Sequence, residues 1–101
     1  MTQRLTPRQR KAALLDSALT VATSAGYAHM TREAIAAHAA VSPALISHHL
    51  GTMAQLRRAV MRAAVTRQMV RIVAQGLAAS DPQALKAPDH LKQQAASLMT
   101  S

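Results

Sequence analysis

Thr31–Leu56 reads TREAIAAHAAVSPALISHHLGTMAQL, and its polar residues punctuate it into helix, tight turn, short helix, second turn and the start of another helix. Thr31 stands directly before a stretch carrying Ile35 and Ala36, where a hydroxyl can accept a hydrogen bond from a free N–H of a helical first turn. Ser42-Pro43 repeats the device, with serine as N-cap and proline at the first helical position, where its missing N–H costs nothing. One helix is therefore predicted at Arg32–Ala39 and a second from Pro43 to about Leu50, with Ala40-Val41 as the turn. Two compact helices joined this closely are how a protein presents a helix to the DNA major groove.

Working outward, Thr6-Pro7-Arg8-Gln9 has the form of a capping box, since Gln9 can reach back to the N-cap N–H. A first helix follows from Pro7 to about Ser24, its apolar stripe made by Leu14, Leu15, Ala18, Leu19, Ala22 and Ala25 at spacings of three and four. Gly26 ends it, because glycine enters the left-handed cap conformation at little cost. Tyr27, the only aromatic residue, is expected over that helix end. Val41 is expected to plug the space between the two central helices, with Leu45, Ile46 and Leu50 anchoring the second from behind and Pro43, Ala44, Ser47 and His48 facing outward. Glu33 sits in the first turn of its helix, where the dipole favours an anion.

Downstream, Gly51 stops the short helix and Thr52 with Gln55 opens another capping box. A long fourth helix is predicted from Met53 to about Ala79, interrupted only by Gly76. It carries more apolar residues than one stripe holds: Leu56, Ala59, Val60, Ala63 and Ala64 early, then Met69, Val70, Ile72, Val73 and Leu77. Apolar residues on two faces imply two packing partners, and a second copy of the chain is the expected one. Ser80-Asp81-Pro82 and Ala87-Pro88-Asp89 are breaks, and Asp89–Met99 is a final helix with Leu91, Ala95, Leu98 and Met99 on one side. The fold class is all-α: a three-helix DNA-binding unit over 1–65, extended over 66–101 by helices for dimerization.

The 101 residues suffice for one small helical core. Twelve Lys and Arg against four Asp and Glu leave a formal charge of +8, and ten of the twelve lie at or before Arg71, where Asp16 and Glu33 are the only acids. That concentration of positive potential suits a polyanionic partner. There is no cysteine, which excludes disulfides and thiolate metal sites and is compatible with a reducing cytoplasm. Arginines before an apolar stretch resemble a targeting peptide, but Asp16 interrupts that stretch and its period is helical. No run approaches the ~20 apolar residues that span a bilayer.

The order Gly26-Tyr27, Thr31, Ile35-Ala36, Ala40-Val41-Ser42, Leu45-Ile46, His48, Leu50 and Leu56 resembles the DNA-binding domain of the tetracycline-repressor (TetR) family, over roughly Gln9 to Val65. The chain departs from the family pattern at Ala40, where glycine is usual, at Ser47 in place of tyrosine, at Leu50 in place of an aromatic, and at Met53-Ala54 in place of a lysine-glutamate pair. The resemblance implies a bacterial cytoplasmic regulator, and the small size of the chain suggests a nucleoid- or plasmid-associated one, as in autoregulated plasmid or phage circuits. Family members add a C-terminal effector domain longer than this chain, so no small-molecule ligand is expected within it, and no cofactor or metal.

The predicted recognition helix has no arginine or lysine. Ser42, Ser47 and His48 supply hydrogen bonds to bases, and Pro43 and Ala44 offer small apolar surface suited to thymine methyls. Phosphate contacts fall to Thr31, Arg32 and Thr52 at helix N-termini, Thr52 being also a family-like position. Arg4, Arg8, Arg10 and Lys11 form a basic arm that either touches the backbone or minor groove or is a solubilizing tail. Val70, Val73, Leu77, Leu91 and Leu98 are the expected dimer interface. The function this predicts is a sequence-specific repressor that binds double-stranded DNA at an inverted repeat as a homodimer and regulates its own synthesis. The alternative is an architectural, nucleoid-type binder that uses the same charge without reading sequence. An interaction module that ignores DNA is a third reading. Catalysis finds no support: His29, His38, His48, His49 and His90 match no catalytic or metal-binding spacing, and a membrane-surface helix lacks the customary tryptophan or phenylalanine.

Overall fold

The computed structural model describes residues 5–100, and among these the regular structure is entirely helical. Helix α1 spans Pro7–Ala25 and is followed by one 3-10 turn, Tyr27–His29. Then come α2 (Arg32–Ala39), α3 (Pro43–Leu50), α4 (Met53–Thr66), α5 (Val70–Ala78), α6 (Pro82–Leu85) and α7 (Asp89–Thr100).

Each of the first four helices begins at the residue whose side chain caps it. Thr6 Oγ1 accepts from Gln9 N–H at 3.1 Å while Gln9 Oε1 accepts from Thr6 N–H at 2.9 Å, and Thr52 with Gln55 repeats the pair at the same distances. Thr31 accepts from Ala34 N–H at 3.1 Å and Ser42 from Leu45 N–H at 3.2 Å. Gly26 and Gly51 close α1 and α3 with φ of 97° and 79°, a region that costs glycine little. Between α2 and α3 a positive φ falls on Ala40, which occupies the left-handed helical region at φ 59° and ψ 44° and lets Val41 N–H return to Ala36 O at 3.0 Å.

The stripe of α1 is buried through Leu14, Ala18, Leu19 and Ala22, joined by Val21. Ala25, expected on it, is exposed because Gly26 turns the chain away one residue later. Ile46 and Leu50 anchor α3 as expected, but Val41 is only half-buried. Tyr27, Met30, Ile35, Leu56 and Val60 complete the packing of the first half.

The continuous helix expected from Met53 to Ala79 is broken. α4 ends at Thr66, Gln68 adopts the left-handed conformation at φ 54°, and Met69 N–H bonds back to Ala64 O at 2.8 Å. α5 then turns to pack against α7, α1 and α4. The physical reason lies in the two apolar faces. A straight helix of that length would extend about 40 Å and leave its second face in water, whereas the fold-back lets α6 and α7 of the same chain cover it. Ile72, Val73, Ala84, Leu91 and Ala95 join Leu14, Leu56 and Met61 in one contiguous core cluster. Gly76 lies within α5 rather than interrupting it: a Cβ there would meet the Met61 methyl and would lie 2.8 Å from Ala84 Cβ. Glycine is what allows α4, α5 and α6 to approach this closely.

The two halves are also tied by polar contacts. Tyr27 N–H donates to Gln75 Oε1, and the Tyr27 hydroxyl donates to Asp81 Oδ2 at 3.0 Å and lies 3.3 Å from Arg57 O. Asp81 caps α6 with its other oxygen, Oδ1 accepting from Gln83 N–H at 2.8 Å and Ala84 N–H at 3.3 Å. No helix among the described residues is long and apolar enough to cross a membrane.

Candidate nucleic-acid interface

Helix α3 is held from behind by Ile46 and Leu50, and this fixes which residues face out. Ser42, Pro43, Ala44 and His48 are exposed and Ser47 is half-buried, so the predicted base-contacting residues share the outward side of the helix. Ser42 has an acceptor engaged in capping α3, which leaves its O–H free to donate. Thr31 and Thr52 are placed in the same way, each capping a helix through its oxygen and exposed to solvent.

Two depressions lie on the first half of the chain. One lies where α1, the end of α3 and the start of α4 meet, lined by Lys11, His48, His49, Gly51 and Gln55. The rings of His48 and His49 meet edge to face there, 4.9 Å between centroids. The His49 pKa is held below its ordinary value, first by partial desolvation and then by the positive neighbours His48, Arg10 and Lys11. Positive charge from the first helix thus reaches the end of the recognition helix. Arg8 and Lys11 are exposed and Arg10 half-buried, all on the first turns of α1. Arg4, the remaining residue of the predicted basic arm, lies outside the described residues.

The second depression lies between the 3-10 turn, the start of α2 and the start of α4, lined by Thr31, Arg32, Glu33, Met53 and Arg57. Arg32 is half-buried and its Nε is closed off from solvent with no hydrogen-bond partner. Free N–H groups and cations gathered at two helix starts form an anion-attracting rim. Arg57 and the adjoining Arg58 and Arg62 lie on α4. Their common surface with α6 had no local signal, because it depends on α6 returning to α4.

Two residues predicted for a dimer interface are placed elsewhere. Val73 and Leu91 are 0 % exposed inside the chain's own core, because the break after α4 brings α5 against α7. Val70 and Leu77 are half-buried and Leu98 is exposed, the last beside Met99, Ala74 and Ala78 in an open apolar groove. Among the described residues no three His, Asp or Glu side chains converge as a metal site.

The family model described as bacterial regulatory proteins, tetR family, matches residues 14–60. No curated relative and no solved structure matches the chain.

Proposed function

We propose that this chain, whose residues 14–60 match the tetR-family model, is a DNA-binding transcription regulator that acts as a repressor reading an inverted-repeat operator as a homodimer. The observation that carries this reading is the composition of the outward face of α3. Ser42, Pro43, Ala44 and His48 are exposed and short, so the helix backbone can approach the base edges closely, where hydroxyl, imidazole and methyl contacts discriminate. None of them is permanently charged, so most of the affinity comes from the surrounding phosphate-facing groups: Thr31 and Arg32 at the start of α2, Thr52 at the start of α4, and Arg8, Arg10 and Lys11 on α1.

A helix of eight residues reads only a few base pairs, and two-fold pairing is the usual way to reach a useful site length. Val70 and Leu77, half-buried on α5, and the open groove lined by Ala74, Ala78 and Met99 would supply that pairing. Occupancy of a promoter-proximal site by a dimer blocks polymerase, and because pairing makes occupancy steep in protein concentration, control of its own synthesis is the simplest use.

Selection of duplexes from a random-sequence pool by the purified protein at near-physiological salt tests this. Enrichment of an inverted repeat is expected, and binding without enrichment would replace the repressor reading with an architectural one.

A further inference from the structure

An open groove of about 560 Å³ between α4 and α6 is lined by Arg57, Arg58, Arg62 and Lys86 together with Asp81. Four cations against one carboxylate leave a local net charge of +3. That carboxylate is already committed, Oδ1 to the N–H groups of Gln83 and Ala84 and Oδ2 to the Tyr27 hydroxyl. Among the described residues the ion pairs are Arg67–Asp16 and Lys92–Asp89, so no cation of the groove is in a salt bridge. Like charges gathered on one open surface repel each other until an anion or counterions arrive. Arg57 also lines the neighbouring depression with Thr31 and Arg32, so the groove continues the phosphate-facing rim around the start of α4.

We propose that this groove is a second backbone track, which carries the sugar-phosphate strand of the same duplex beyond the half-site faced by α3 and so makes Lys86, the residue after α6, part of the DNA interface. The inference rests on the operator-binding reading above. A duplex backbone fits better than a nucleotide or a single strand, because no aromatic side chain lines the groove to stack a base. Arg58 and Arg62 stand one turn apart on α4 and Lys86 caps the end of α6, so the cations are spread over two elements, which suits successive phosphates rather than one anion.

The test is the salt dependence of binding to the duplex recovered from the pool, in one version trimmed to its half-sites and in another extended on each side by about one helical turn, roughly 10 base pairs. On the extended duplex, the Arg58→Ala/Arg62→Ala/Lys86→Ala variant should reduce the slope of log affinity against log salt by roughly 2–3, and Lys86→Ala alone by about 1. On the trimmed duplex both should match the wild type, and Lys92→Ala should match it on either. Base preference should not change. Alanine keeps α4 helical, and unfolding curves confirm that the variants are folded. Wild-type slopes for Lys86→Ala on the extended duplex, or an equal loss on both duplexes, would overturn the second track. A wild-type protein that enriches nothing from the pool overturns the operator reading instead, before any slope is compared.

Discussion

Ala40 holds a left-handed backbone, φ 59° and ψ 44°, where an L side chain crowds its own carbonyl at a cost of roughly 1–2 kcal/mol. It is exposed, so glycine removes no packing there. Ala40→Gly should stabilise the fold by about 0.5–1 kcal/mol, after the greater freedom of glycine in the unfolded chain is deducted. Thermal unfolding should show a midpoint several degrees higher, and a lower midpoint would mean that the turn is not strained. His49 gives a pH dependence. Desolvation and the charges of His48, Arg10 and Lys11 hold its pKa below 6.5 in the folded chain, so near and below that pH the unfolded chain binds more protons. Its contribution to stability is therefore present above about pH 6.5 and lost as the pH falls through the folded value. DNA acts in the opposite sense, since a phosphate beside this cluster favours the protonated ring. Affinity for the selected duplex should rise between about pH 7.5 and pH 6, and His49→Gln should flatten that rise. Equal slopes for the two proteins would remove His49 from the linkage.

The helices of the first half were legible because their signals are local. Thr6, Thr31, Ser42 and Thr52 each cap the helix predicted from them, and a cap needs only the few residues that follow it. The break between α4 and α5 was not legible. Neither glycine nor proline marks Arg67-Gln68-Met69, and Gln68 accepts a left-handed φ of 54° in exchange for burial of Ile72 and Val73 on the chain's own core. Gly76 was read as an interruption of a long helix, whereas it is the contact point of three helices. Gly76→Ala should destabilise the fold by roughly 1–3 kcal/mol despite alanine's better helix propensity. Chemical denaturation measures it, and a gain in stability would mean that α4 and α6 can separate without cost.

The two halves of the chain depend on one another through Tyr27. Its phenol is buried and donates to the Asp81 carboxylate, and Tyr27→Phe should cost about 1–3 kcal/mol, because Asp81 then loses a hydrogen bond in a half-buried place. Burial first, and then the Asp81 hydrogen bond and charge, raise the phenol pKa above its ordinary 10.0. The unfolded chain therefore releases this proton at lower pH than the folded one, and stability is lost as the pH rises past about 10. Tyr27 is the only tyrosine, so phenolate absorbance should appear together with loss of helical circular dichroism. Phenolate formed while the helices persist would show that the Tyr27 to Asp81 link does not hold the halves together.

Residue order alone was enough for the all-helical class, the first four helix starts, the helix-turn-helix and its exposed residues, because caps, turns and helical phase act within a few positions. It also carried the charge imbalance that points to DNA. Where the second apolar face of Val73 and Leu91 goes, and that Arg57, Arg58 and Arg62 share a groove with Lys86, emerged only once the chain was folded. Both depend on a turn without local signal that brings distant helices into contact, and the free energy favouring that turn comes from the surface it buries rather than from the residues that make it.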